Sequence, residues 1–168
     1  MRDRKVQKMV TAALFTGAAI LFGYVETLLP IPLPVPGMKL GLANIAVLAV
    51  LYTAGPGMAA AVDLVRILVN GLMFTGLYGF LFSLAGGAVS LLIMILLYKC
   101  GRFGVTGVSA AGALAHQAGQ ILVAVPLLGS EAVLALLPVL GALAVGTGIV
   151  TGLTAAGLIR HLPTDGKV

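Results

Sequence analysis

Asp63, Arg66 and Asn70 stand three and four residues apart in a stretch that is otherwise almost wholly apolar. At about 100° per residue, that spacing places all three on one stripe of a helix, where opposite charges at i and i+3 can pair. A charge at the middle of a bilayer costs about 2.5–3.5 kcal/mol on insertion scales, so such residues face the interior of a bundle and mark a pathway or a site. Two readings stay open. Arg66 holds an anionic group with Asp63 orienting it, or the pair is self-contained and only fixes helix packing. A second group, His116, Gln117 and Gln120, falls on a later apolar segment, with His116 and Gln120 on one face. It reads either as ligand contacts or as a hydrogen bond to a neighbouring helix. A third group is Glu26, Lys39 and Asn44. Glu26 and Lys39 flank the run Pro30-Ile-Pro-Leu-Pro-Val-Pro36 and can pair with each other as a boundary feature. Together these residues suit a pocket that accepts a polar or anionic head with an apolar body.

Catalytic signatures are missing. Magnesium-dependent diphosphate chemistry needs clustered carboxylates, whereas the five acidic residues here are isolated, no two within ten positions. The chain has no phosphate loop, no His-Glu-x-x-His helix and no Gly-x-Ser-x-Gly elbow. His116 and His161 cannot hold a metal unaided, and the lone Cys100 excludes a disulfide framework. No catalytic residue, metal or cofactor is therefore expected in this chain.

The surrounding elements explain why these polar residues are so conspicuous. Of 168 residues, 60% are hydrophobic and 9% charged, and the mean hydropathy is +1.15. Soluble domains carry about 45–50% apolar and about 25% charged residues. A core of this size cannot hide the excess from water, so the solvent is lipid. That excludes a soluble enzyme and a nucleic-acid partner, and the net charge of +5 does not argue otherwise. Four of the ten basic residues crowd the first eight positions and the others are scattered.

Runs of about 20 apolar residues cross the hydrocarbon. Six are expected, at about 9–29, 39–54, 58–74, 78–98, 105–128 and 132–159. The fold class is thus an all-α integral membrane protein, a bundle of six transmembrane helices. Pro138 is expected to kink the last span. Residues 1–8 form a basic cytoplasmic N-terminus, 9–159 a single membrane domain and 160–168 a cytoplasmic tail. The first apolar stretch is too long for a cleavable signal peptide. Arg2, Arg4, Lys5 and Lys8, then Lys99 and Arg102, then Arg160 and Lys167 fall on one side, which the positive-inside rule makes cytoplasmic. Both termini are expected there.

Glycine is abundant, 23 residues, and small residues spaced by four let membrane helices approach closely. Gly86 and Ser90, Gly112 with His116 and Gly119, and Gly148 and Gly152 fit internal packing. Ala13 and Gly17, low on the first helix, fit either that use or the docking of another membrane subunit.

Three stretches carry a resemblance: Pro36-Gly-Met-Lys-Leu-Gly-Leu-Ala-Asn-Ile45, Arg66 with Gly79-Phe-Leu-Phe-Ser-Leu-Ala-Gly-Gly87, and Ala115-His-Gln-Ala-Gly-Gln-Ile121. Together they resemble the Gx transporter family, whose members also go by the description heptaprenyl diphosphate synthase component I. That family is similar to the substrate-binding (S) components of energy-coupling factor transporters. The resemblance implies a six-helix bundle of the S-component type in the cytoplasmic membrane of a prokaryote. It implies capture of a metabolite from the outer side, a transmembrane coupling subunit meeting Ala13 and Gly17, and ATPase subunits that use the ATP. The same description implies instead a non-catalytic membrane subunit beside a polyprenyl diphosphate synthase. A stand-alone carrier, with Asp63 or Glu26 as proton site, is a third reading.

Overall fold

The computed structural model describes the backbone of residues 2–28, 41–129 and 131–162, with side chains described from residue 6 onward except 131–132. Lys39 and the proline run lie outside the described residues. Within them, the chain forms six α-helices and no strand: α1 (Arg2–Leu28), α2 (Asn44–Thr53), α3 (Pro56–Asn70), α4 (Gly76–Cys100), α5 (Val105–Leu128) and α6 (Leu137–Ile159). A π-helical turn (Gly71–Thr75) joins α3 to α4, and a 3-10 turn (Glu131–Leu136) precedes α6.

Four stretches are long and apolar enough to cross a membrane: Val6–Leu28, Pro56–Cys100, Val105–Leu128 and Val133–Ile159. Their outer faces are greasy, with Leu14, Leu72 and Leu122 each at least 70% exposed. Such a surface is stable only in lipid, and the chain is a multi-pass membrane protein.

The stretch Pro56–Cys100 is not one rod. At 1.5 Å per residue, 45 residues would span about 68 Å, twice the hydrocarbon thickness. Instead the chain reverses at Gly76, whose φ of +66° suits glycine and no other residue. The reversal brings Gly71 against the ring of Phe80, and Gly87 against Ile67 and Asp63. The π turn breaks the hydrogen-bond ladder just before it.

The helices close into a ring: α1 packs on α3, α3 on α4, α4 on α5, α5 on α6, and α6 returns onto α2, which also meets α1 and α3. The α4–α5–α6 side is seamed by glycine. A Cβ on Gly119 would stand 2.7 Å from the Ala85 carbonyl oxygen, and one on Gly148 or Gly152 would stand 2.7 Å from the Cα of Ala110 or Thr106. Backbones approach here as only small residues permit. On α1, by contrast, Ala13 and Gly17 face outward, with nothing within 4 Å of a Cβ at Gly17.

Helix α2 is apolar on every side, and Ala46 through Thr53 are all buried, as expected for a helix enclosed by others. It is half a span long. One expectation needs adjustment. Pro138 lies in the first turn of α6, where its missing N–H costs nothing, and so starts that helix rather than kinking it. The basic residues at the N-terminus belong to α1, which begins at Arg2.

Candidate functional site

Asp63 and Arg66 stand on the buried face of α3. Arg66 lies ten residues from the helix start at Pro56, about 15 Å into the bundle at 1.5 Å per residue. Its Nε donates to Asp63 Oδ1 at 2.7 Å and its Nη2 approaches the same oxygen at 2.6 Å. Nη2 also donates to Asn44 Oδ1 at 3.2 Å. Asn44 is the first residue of α2, so this bond sets the start of α2 at the depth of Arg66. The i, i+3 pairing was readable from spacing. The third member, 22 residues away in sequence, was not.

The second group sits on α5. The Gln120 amide nitrogen lies 2.9 Å from His116 Nε2. An amide NH2 can only donate, so this ring nitrogen accepts. Both groups lean on one step of α4. A Cβ on Gly87 would stand 3.2 Å from Asp63 Oδ2, and one on Gly86 would stand 2.9 Å from His116 Cε1. Neighbouring Cα atoms are about 3.8 Å apart. The charged triad and the histidine–glutamine pair therefore meet α4 at the same height, on either side of a double glycine.

Asn70 closes α3 one turn beyond Arg66 and presses its amide onto α1 at Gly23, where no Cβ would fit. Glu26 is also buried, and its Oε1 accepts the backbone N–H of Gly41 at 2.7 Å. That bond ties the end of α1 to the approach to α2. Gly41 adopts φ +90° to make the turn. The expected Glu26–Lys39 pair falls on Lys39, outside the described residues.

Buried polar groups in folded proteins are nearly always paired. Here Asn70 Nδ2 and Oδ1, Gln117 Nε2 and Oε1, Gln120 Oε1, Ser83 Oγ and Ser90 Oγ are buried without a hydrogen bond among the described residues. From sequence, Ser90 stands out only as a small packing residue, and Ser83 is not singled out for the site. A serine in a helix commonly bonds its own backbone, so its type alone carries no signal. Another buried hydroxyl pair, Ser109 and Thr151, meets across α5 and α6 at 3.0 Å, a link between helices. Among the described residues no three metal-ligating side chains gather.

These features define a class: a multi-pass helical membrane protein with a polar constellation shut inside an apolar bundle. The chain belongs to the heptaprenyl diphosphate synthase component I family, whose model matches residues 15–158. No curated protein and no solved structure matches it.

Proposed function

We propose that this chain binds a small amphipathic metabolite, with a polar and anionic head, inside its bundle. In this reading it is the substrate-binding membrane component of an energy-coupling-factor-type importer. The observation that carries the proposal is the set of buried, unpaired amides of Asn70 and Gln117 in a bundle that also buries the ion pair of Arg66. An unsatisfied buried amide costs about 1–3 kcal/mol, and a ligand's polar groups would remove that cost. Arg66, with Lys39, holds the anionic group. Asn44, Asn70, His116, Gln117 and Gln120 hydrogen-bond the ligand, Glu26 frames the outer approach, and Asp63 orients Arg66.

The six α-helices then make six passes, the short α2 among them. The chain lies in the cytoplasmic membrane of a prokaryote with both termini in the cytoplasm. Ala13 and Gly17, exposed on α1, meet a transmembrane coupling subunit. ATP is used by partner ATPase subunits.

A second reading is favoured by the family's description: a non-catalytic membrane subunit of a heptaprenyl diphosphate synthase system. Native mass spectrometry of the gently solubilised chain from its own host separates the two. The importer reading expects a bound small molecule with coupling and ATPase chains, and Arg66→Ala, His116→Ala and Asn70→Leu each weakening the ligand about tenfold, the loss of one charge-assisted hydrogen bond. It fails if all three variants hold the ligand within about twofold of the parent. An empty interior with a soluble prenyl synthase attached would establish the second reading.

A further inference from the structure

The far end of the bundle carries a feature that the polar interior does not use. The C-terminal ends of α2, α4 and α6 and the start of α5 enclose a cleft of about 640 Å3, lined among others by Tyr52, Tyr98, Lys99, Arg102, Thr106 and Arg160. That volume lies in the range of small-molecule sites, about 300–1,000 Å3. Three of its lining residues are cations, and no acidic side chain is among them. The Tyr52 and Tyr98 rings meet edge-on at 4.9 Å and form its inner wall.

All three cations stand beside a helix C-terminus. Lys99 is in the last turn of α4, Arg102 follows Gly101, the C-cap of α4, and Arg160 caps α6, so each offsets the negative end of a helix dipole. Arg102 also stands two residues before Gly104, the N-cap of the 24-residue helix α5, whose positive end favours an anion. No side chain caps that terminus, so the N–H groups of its first turn have no intrahelical acceptor. Gly104, Val105 and Thr106 bring this helix end to the cleft wall. The cleft thus gathers three cations and an uncapped helix N-terminus, and an anion complements both.

We propose that this cleft binds a phosphate-bearing anion, a phosphate monoester or diphosphate, carried free in solution or as the head of an anionic lipid. Oxygen atoms of the group take the α5 N–H donors and the Arg102 and Arg160 guanidinium groups, with Lys99 adding charge at the rim. The site is independent of the ligand in the bundle interior and stands on either reading of the function.

The test uses the full-length chain in neutral detergent and in nanodiscs, with inorganic pyrophosphate as the free probe. Calorimetric titration reads occupancy directly, and Cys100, the single cysteine, exposed between the lining residues Lys99 and Gly101, adds its maleimide labelling rate as a second readout. Saturable pyrophosphate binding that slows Cys100 labelling in phosphatidylcholine nanodiscs identifies a free anion. Slow labelling in phosphatidylglycerol nanodiscs, with no further effect of pyrophosphate, identifies the lipid head. Either supports the proposal, provided Arg102→Gln/Arg160→Gln weakens binding, or restores labelling, by about tenfold. Both residues are exposed, and an unchanged melting curve confirms that the variant folds. The proposal is overturned if calorimetry finds no pyrophosphate binding and neither pyrophosphate nor phosphatidylglycerol changes labelling, or if the double variant matches the parent.

Discussion

The charged triad of Asp63, Arg66 and Asn44 and the amides of Asn70 and Gln117 are equally buried, yet only the first is paired. The triad satisfies itself: an arginine fork closes on a carboxylate and an amide oxygen from a second helix. Nothing among the described residues does this for Asn70 or Gln117. Burial of a polar group in lipid therefore has two meanings in one molecule. Where the partners are internal, the group holds helices together with or without a ligand. Where they are missing, it is available to something that arrives later.

The sharpest way to break this distinction is to orphan one member of the triad. Arg66→Leu leaves Asp63 buried without its counter-charge and Asn44 without its donor. We expect a loss of about 3–5 kcal/mol, read as a lower melting temperature in detergent. Asp63→Leu/Arg66→Leu together should recover most of it. A double variant as unstable as the single one would show that the two charges do not stabilise each other.

The double glycine gives a smaller and directional effect. A Cβ at Gly86 would stand 2.9 Å from the His116 carbonyl oxygen, a backbone atom that cannot yield. At Gly87 the nearest atom, at 2.6 Å, is the Cδ1 tip of Ile67, which can rotate aside. Gly86→Ala should thus cost about 1–3 kcal/mol, and Gly87→Ala clearly less, in parallel thermal melts. Equal losses would place the triad and the histidine pair under the same constraint.

The smallest stability effect belongs to the unpaired amides. Asn70→Leu and Gln117→Met remove polar atoms that have no partner to lose, so melting should stay within about 1 kcal/mol of the parent or rise. Ligand retention, in contrast, should fall. Loss of stability on the scale of Arg66→Leu would make these amides structural and erase the comparison.

Much of this arrangement was legible before the helices were placed. Asp63 and Arg66 pair because they are three apart on a helix, and His116 meets Gln120 because they are four apart. The reversal near residue 76 shows in sequence only as a weak break, since hydropathy stays high from Pro56 to Cys100. What settles it is a single positive φ at Gly76, a property of three-dimensional closure. Likewise, Asn44 joins Arg66 through contact between helices, and an amide's lack of a partner depends on every neighbour at once. Small-residue spacing was ambiguous for the same reason. It reads alike at Gly148/Gly152, which are closed against α5, and at Ala13/Gly17, which face outward.

Helix α2 has an electrical consequence. It begins at the depth of Arg66 and ends at Tyr52, beside Tyr98, and between those levels its side chains are aliphatic and enclosed. Ten residues make a dielectric plug about 15 Å thick. A bare ion entering such a medium meets a Born barrier of order 20 kcal/mol. Along α2, only apolar side chains separate the polar interior from the basic end of the bundle.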